Sequence, residues 1–327
     1  MHVFVTGSTG FVGTGVIKEL LAAGHTVTGL CRSEKSAEAI RSPNVTPLIG
    51  TLADTDVLRK AASEADAVIH LAFDLGVGFA KACEADQAAI RALGESLVSS
   101  AAAAAQEGGK GKEKVLVITS GTALLKSGTL VDEDSEKDLS HPVAAARGAC
   151  EDLAHSFAKP GVLRTCVVRL PPTVHGPGNC GFIGVLARTA LQKGFSAYPT
   201  TSSPAGQESN RWCAVHRDDA AKVYVLALGA PSGSTFHAVA EEAVSVKDAA
   251  TEIGRLLDVP VKALATAEEV AGHFGWFHVV VVVDNVASSE KTRERLGWKP
   301  TGKTALEDVP LAIEFAKSGG LDGALTK

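Results

Sequence analysis

The chain of 327 residues has few of the features that mark metal-binding or disulfide-stabilised proteins. No two cysteines form a C-x-x-C pair, and no histidine cluster completes a zinc-binding spacing. We therefore expect no metal site, and reduced thiols that are mostly packed as small apolar groups. The cysteines are Cys31, Cys83, Cys150, Cys166, Cys180 and Cys213.

Excess charge and long apolar runs are also lacking. A formal net charge of -5 gives no electrostatic basis for binding nucleic acid or an anionic membrane. No apolar run approaches the ~20 residues that a membrane-spanning helix needs. The N-terminal segment lacks the basic start and apolar region of a signal peptide. We therefore expect a cytoplasmic protein without nucleic-acid or membrane partners.

What the first half does contain is a regular alternation of apolar runs and amphipathic stretches. Strands are predicted at His2–Thr6, His25–Cys31, Val45–Ile49, Ala67–Ala72, Lys114–Thr119 and Thr165–Leu170. Helices are predicted at Val12–Ala23, Ser33–Ser42, Asp54–Glu64, Phe79–Ala105 and Pro142–Ala158. Strands at this spacing, each followed by a helix, predict an α/β fold with a doubly wound parallel sheet of the Rossmann type.

The composition changes after Pro171, where prolines, glycines and serines separate shorter elements. We place the main boundary there, with a dinucleotide-binding Rossmann domain at 1–171. Residues 172–327 would form mainly a smaller α/β substrate-binding domain. A helical pattern within 213–230 is expected to pack back on the first domain. The most polar stretch is Thr200–Asn210, which we interpret as a surface loop.

A glycine-rich segment, T-G-S-T-G-F-V-G, lies between the first predicted strand and helix. In the spacing G-x-x-G-x-x-G, the first glycine permits a tight turn and the second lets the backbone approach a pyrophosphate. The third allows close packing of helix and strand. We predict a dinucleotide site there; the alternative is a tight turn without a ligand. Its contacts would be Gly7, Thr9, Gly10, Phe11, Val12 and Gly13.

The residues after the second strand indicate which dinucleotide is bound. NAD-specific sites place Asp or Glu there, to accept a hydrogen bond from the ribose 2′-hydroxyl. This chain has Arg32 and Ser33 instead, and an arginine can pair with a 2′-phosphate. We therefore predict NADP(H) in preference to NAD(H). The alternative is that Arg32 is a solvated loop cation.

These and later motifs resemble the short-chain dehydrogenase/reductase superfamily, in its extended, epimerase/dehydratase-like form. Beyond the glycine loop, the similar segments are Val68–Ala72, Val117–Ser120, Val168–Pro177, Val215–Ala220 and Arg295–Pro300. The resemblance implies a Rossmann fold over nearly the whole chain and a possible homodimer. It also implies further cofactor contacts at Leu52, Leu71, Ala72, Phe73, Thr119, Pro172 and Val174.

The chain departs from the family pattern where a Y-x-x-x-K pair is expected. When the motif is registered on Glu151, Val143 occupies the tyrosine position and Arg147 the lysine position. The chain's tyrosines, Tyr198 and Tyr224, are both distant in sequence. The pattern is similar to an atypical subgroup that keeps an arginine and lacks the tyrosine.

The resemblance leaves four candidates for the chemistry. Ser120 and Thr122 flank the position of the family's catalytic hydroxyl; otherwise they would bond backbone groups at the strand end. His175 replaces a tyrosine near the nicotinamide and would titrate near neutral pH, or else make a structural hydrogen bond. Arg147 would hold the nicotinamide ribose or be a surface cation. It cannot shuttle protons, because an arginine pKa stays above ~12.

The sequence thus favours an NADP(H)-dependent oxidoreductase that reduces a carbonyl, or oxidises a secondary alcohol, of a small organic molecule. One alternative is an epimerase or dehydratase; a nucleotide-sugar substrate would then require basic residues in the second domain, such as Arg188, Lys193 and Arg211. Another is a non-catalytic NADP(H)-sensing protein.

Overall fold

The fold is built around a parallel sheet, seen in a computed structural model that describes residues 1–106, 112–126, 128–200 and 208–319. Within these ranges seven strands form that sheet in the order β10-β6-β5-β4-β1-β2-β3. They are β1 His2–Thr6, β2 Thr26–Cys31, β3 Val45–Ile49, β4 Ala67–His70, β5 Lys114–Gly121, β6 Leu163–Leu170 and β10 Ser234–His237. This confirms the predicted Rossmann-type α/β fold.

Helices cover both faces of the sheet, because its strands are apolar on both sides. Val3 and Val5 of β1 pack with three helices on one face, α1 Phe11–Ala22, α2 Glu34–Ile40 and α7 Arg217–Ala227. Phe4, between them, points to the other face, which is covered by α3 Thr55–Glu64, α4 Phe79–Gln106 and α5 Pro142–Ser156. The winding direction changes between β1 and β4, so the segments that follow these two strands flank a crevice at the carboxyl edge.

A second apolar core lies outside this sheet, in the later part of the chain. Its strands form small sheets, β11-β9-β7 and β12-β8. The strands are β7 Thr173–His175, β8 Ser196–Pro199, β9 Arg211–His216, β11 Glu241–Ser245 and β12 Val261–Leu264. Its helices are α6 Gly181–Lys193, α8 Val246–Leu257, α9 Ala267–Phe274, α10 His278–Val281 and α12 Val309–Lys317. The remaining helix, α11 Glu290–Leu296, contacts α7 and β10 of the first core.

The chain passes between the two cores more than once. α7 packs against α1, and β10 pairs with β6 at the edge of the main sheet. The sequence pattern does not predict β10, because four residues with mixed polarity give no periodic signal. The boundary at residue 171 stays a prediction. Of the polar stretch Thr200–Asn210, residues 201–207 lie outside the described residues.

The segments Val215–Ala220 and Arg295–Pro300, both similar to family motifs, contact each other. This contact joins the residues near position 300 to the first core. The Asp219 carboxylate accepts hydrogen bonds from the backbone N–H groups of Thr301 and Gly302, at 2.8 and 2.6 Å. The indole N–H of Trp298 donates to the Asp219 carbonyl at 3.1 Å. Among the described residues, no helix is both long and apolar enough to cross a membrane.

Candidate active site at the carboxyl edge of the sheet

The glycine loop turns so tightly that side chains at its first and third glycines would collide with backbone. Gly7 has φ +66°, and a Cβ there would lie 2.8 Å from the Ala72 nitrogen. A Cβ on Gly13 would lie 2.0 Å from the Gly7 carbonyl oxygen. The Gly10 N–H donates to that same oxygen at 2.9 Å and closes the turn. The spacing read from the sequence therefore corresponds to real steric requirements.

The N-terminus of α1 is suited to binding an anion. Gly10 is its N-cap residue and supplies no side-chain cap, and the first turn carries no acidic residue. The first N–H groups of a helix have no partners within the helix, and its dipole attracts negative charge. Thr9 and Gly10 are exposed, while Phe11 and Val12 are half-buried. The loop and helix start suit the pyrophosphate of a dinucleotide.

A chain of buried polar side chains runs from β1 to α5. The Thr6 hydroxyl lies 2.6 Å from His70 Nδ1, and His70 Nε2 lies 3.0 Å from Asp86 Oδ1. Arg147 Nη1 donates to Asp86 Oδ2 at 2.5 Å, and Arg147 Nη2 donates to the Thr119 carbonyl at 2.5 Å. The arginine that stands at the family's lysine position is thus fixed at the carboxyl end of β5.

The surroundings of Asp86 favour its ionised form. Burial alone would raise the pKa of its carboxyl, but the hydrogen bond with His70 and the charge of Arg147 outweigh it and lower that pKa. Sequence reasoning missed Asp86, because it lies in an alanine-rich helix without a motif of its own. The only sequence signal was a carboxylate on the apolar face of α4.

Tyr224 reaches the site although it lies far away in sequence. Thr119 donates its hydroxyl proton to the His70 carbonyl at 2.9 Å, so the Tyr224 hydroxyl, 3.0 Å from Thr119 Oγ1, is the donor to Thr119. Complete burial raises the pKa of Tyr224 far above its usual value. Tyr224 is therefore a buried hydrogen-bond partner of β5.

Ser120 is the next residue along β5, and its side chain points to the opposite face. It is buried, and among the described residues no group is in hydrogen-bonding geometry with its Oγ. The hydroxyl is nonetheless near enough to Glu151 to contribute to a lowered pKa of that carboxyl. Burial opposes this lowering most strongly, and Arg169, which donates to both Glu151 oxygens at 2.9 Å, is its main cause.

The hydroxyl of Thr122, by contrast, is fully engaged. Thr122 Oγ1 donates to Asn285 Oδ1 at 2.7 Å, and Asn285 Nδ2 donates back to the Thr122 carbonyl at 3.2 Å. Thr122 is completely buried. Its catalytic role stays a prediction, and the contacts suit the alternative, a structural bond between the segment after β5 and the late part of the chain.

His175 lies inside the second part of the protein. Its Nδ1 is 2.8 Å from Asp308 Oδ2, and its ring meets that of His216 edge to face at 5.7 Å. Burial lowers the pKa of His175, against the opposing effect of Asp308. A catalytic role for His175 stays a prediction, while these contacts correspond to the structural hydrogen bond that was its alternative.

Arg32 and Ser33 follow β2, at the edge of the same crevice. The side chain of Arg32 is 79% exposed, and its guanidinium lies 4.0 Å from Asp74. Ser33 caps α2 by accepting a hydrogen bond from the Ser36 N–H. The remaining predicted cofactor contacts, all partly buried, are Leu52, Leu71, Ala72, Phe73, Thr119, Pro172 and Val174.

Residues 3–239 match the family model described as "NAD dependent epimerase/dehydratase family". The chain belongs to this family. Membership confirms the resemblance inferred from the motifs and the expected class of enzyme, an NAD(P)-dependent oxidoreductase.

Among proteins of known sequence, the chain is 42% identical over 312 residues to the uncharacterized protein C2A9.02 of Schizosaccharomyces pombe. That match covers 94% of this chain and 98% of the relative. It is 27% identical over 241 residues to a 4-hydroxy-2-methyl-3-oxo-4-farnesyl-3,4-dihydroquinoline-1-oxide ketoreductase of Stigmatella aurantiaca, covering 71% and 69% of the two chains. The fold is similar to that of MoeE5 in complex with UDP-glucose and NAD, with a TM-score of 0.70, 20% identity, and coverage of 98% and 99%.

At the start of α5, Val143 occupies the position that the sequence register assigned to the family's tyrosine. Val143, at the position registered on the family's tyrosine, is 45% exposed. Its side chain cannot donate a proton.

Proposed function

We propose that the protein is an NADP(H)-dependent oxidoreductase that reduces a carbonyl, or oxidises a secondary alcohol, of a small organic molecule. The observation that carries this proposal is the Ser120 hydroxyl, which is buried beside the Glu151 carboxylate with no group of the described residues in hydrogen-bonding geometry to it. Leaving a buried polar group unsatisfied costs about 1–3 kcal/mol, so such a group at the end of a strand favours a role in binding.

Ser120 of β5 and Arg147 of α5 would both act on the substrate. When bound, the dinucleotide supplies or accepts the hydride. Ser120 would donate a hydrogen bond to the substrate oxygen. Arg147, whose guanidinium is anchored at the Thr119 carbonyl, would provide positive charge for the negative charge that develops on that oxygen. The name of the Stigmatella relative, a ketoreductase, supports carbonyl reduction.

The preference for NADP(H) rests on Arg32. Its guanidinium is exposed and only loosely paired with Asp74, so it can turn toward a 2′-phosphate at the end of β2. The NAD bound to MoeE5 makes NAD(H) the natural competitor in any test. Homodimer formation and a cytoplasmic location stay predictions.

Two basic residues that a nucleotide sugar could use are already engaged. Arg211 donates through Nε and Nη2 to the two oxygens of Asp284, at 3.2 and 2.9 Å. Lys193 donates to the Gly272 carbonyl at 3.1 Å. A diphosphate would have to displace these contacts, which favours a substrate without one over the epimerase alternative.

The test is oxidation of NADPH and NADH with a panel of aldehydes, ketones and quinones, and epimerisation of UDP-glucose alongside. We expect turnover with a carbonyl compound and a loss of about 10-fold or more in kcat in Ser120→Ala. Ser63→Ala, which removes an exposed hydroxyl from α3, is the matched control. Tight dinucleotide binding without turnover across the panel would instead support the sensing protein, and epimerisation would support the sugar enzyme.

A further inference from the structure

Two oppositely charged side chains are buried together beneath the crevice. Asp86 of α4 is 1% exposed and Arg147 of α5 is 11% exposed, and they form a direct ion pair. Burying such a pair gains little stability compared with apolar residues of similar size. Its presence next to the strand ends therefore calls for an explanation other than stability.

Both carboxylate oxygens of Asp86 are used. One accepts from Arg147, and the other lies 3.0 Å from His70 Nε2. Thr6 Oγ1 accepts hydrogen bonds from the N–H groups of Leu71 and Ala72, so its own proton points to His70 Nδ1. A neutral His70 then carries its proton on Nε2 and donates it to Asp86. The carboxylate is held in one orientation.

Arg147 is held from three directions. Nη1 is bound by Asp86, Nη2 donates to the Thr119 carbonyl, and one guanidinium face lies 4.3 Å over the Phe73 ring. Of the five N–H donors of an arginine, these contacts use two. The guanidinium plane is therefore fixed, with donors left over, beside two residues predicted to contact the cofactor.

We propose that Asp86 is a positioning residue: supported by His70, it orients Arg147 so that the unused N–H donors face the nicotinamide-side ribose of the bound dinucleotide. This inference rests on the proposed dinucleotide binding, but not on turnover. A lysine would need no such partner to present its single ammonium group, whereas a planar guanidinium binds only in the correct orientation. Asp86 supplies that orientation.

The experiment compares a whole dinucleotide with a fragment that lacks the nicotinamide ribose. Binding of NADPH and of adenosine 2′,5′-bisphosphate is titrated by fluorescence and calorimetry; NADH and ADP are used if NADH binds more tightly. In Asp86→Asn we expect about 10-fold weaker dinucleotide binding, as for other residues that orient a binding group. The Kd of the fragment for Asp86→Asn should stay within about 2-fold of its Kd for the unmodified protein, because the fragment does not reach Arg147.

A double-mutant cycle tests whether Asp86 acts through Arg147. In an Arg147→Leu background, Asp86→Asn should weaken dinucleotide binding by no more than about 2-fold. Asp152→Asn, which removes an exposed carboxylate from α5, is the matched control. If Asp86→Asn does not fold, Arg147→Lys asks the same question, since it keeps the charge and loses the fixed plane.

Several results would overturn the proposal. They are equal weakening of dinucleotide and fragment, additive effects in the cycle, and an Arg147→Lys variant that binds the dinucleotide as the natural protein does. Absence of dinucleotide binding in the unmodified protein would overturn both this inference and the proposed function. Normal binding without turnover would overturn only the proposed function.

Discussion

Hydroxyl groups at the end of β5 differ in their partners although they are neighbours in sequence. Thr119 accepts from Tyr224, Ser120 has no partner among the described residues, and Thr122 donates to Asn285. The sequence could only group Ser120 with Thr122, because both flank one motif position. Their side chains point in different directions, and so they differ in hydrogen-bond partners.

The first prediction concerns Thr122. Thr122→Ala should lower the free energy of unfolding by about 1–3 kcal/mol, because Asn285 Oδ1 loses a buried donor. Since the hydroxyl is already engaged, kcat should change by less than about 3-fold. Urea denaturation and steady-state kinetics check this. A large loss of kcat at unchanged stability would instead support the catalytic role predicted for Thr122.

A second prediction concerns the pair at the adenosine end of the crevice. Arg32→Ala should weaken NADPH binding by about 10-fold and leave NADH binding nearly unchanged, since only NADPH carries the 2′-phosphate. Asp74→Asn should favour NADPH over NADH, because it removes a carboxylate that repels the phosphate. Titration of both cofactors measures this. Arg41→Ala is the control, and unchanged NADPH binding in Arg32→Ala contradicts the NADP(H) preference.

At the scale of elements, the glycine loop shows how steric limits define a binding motif. Its third glycine permits α1 to begin directly against the turn, and no larger residue can stand there without displacing backbone. The positions of β1 and α1 could be predicted closely, because a buried strand and an amphipathic helix each give a periodic signal over several residues.

The third prediction follows from that contact. Gly13→Ala should abolish measurable dinucleotide binding, because the added Cβ would lie 2.0 Å from the Gly7 carbonyl and must open the loop. Gly24→Ala is the control: φ is +77° there, but no atom lies within 4 Å of the added Cβ. It should cost about 1 kcal/mol of stability and leave binding intact. Cofactor titration and denaturation distinguish the two variants.

On the scale of the whole molecule, the second core adds a pH dependence to stability. His273 of α9 packs between Phe195 and Phe274, with ring centroids 4.5 and 4.6 Å away. Burial, with a smaller effect of Lys193 and Lys262, lowers the pKa of His273 to about 4. In the unfolded chain the same group titrates near 6.5.

Our fourth prediction uses that difference. Because the folded pKa is the lower one, the contribution of His273 is complete above about pH 6.5 and is lost as the pH falls toward 4, where the unfolded chain takes up the proton first. Each pH unit should remove at most about 1.4 kcal/mol. Denaturation at pH 7.5 and 5 should show that the free energy of unfolding falls less between these pH values in His273→Leu than in the unmodified protein. An equal fall in both proteins would contradict the role of His273 in this pH dependence.

The sequence by itself determined the βα alternation, the glycine loop and the family, because each depends on residues close together in the chain. It identified Arg147 but not its partner, and it placed Tyr224 far from the site. Tertiary structure alone brought Asp86 to His70 of β4 and Tyr224 to Thr119 of β5, and left the Ser120 hydroxyl with no group of the described residues in hydrogen-bonding geometry. The physical reason is that the pairing and orientation of buried polar groups depend on contacts between segments distant in sequence, for which periodicity carries no signal.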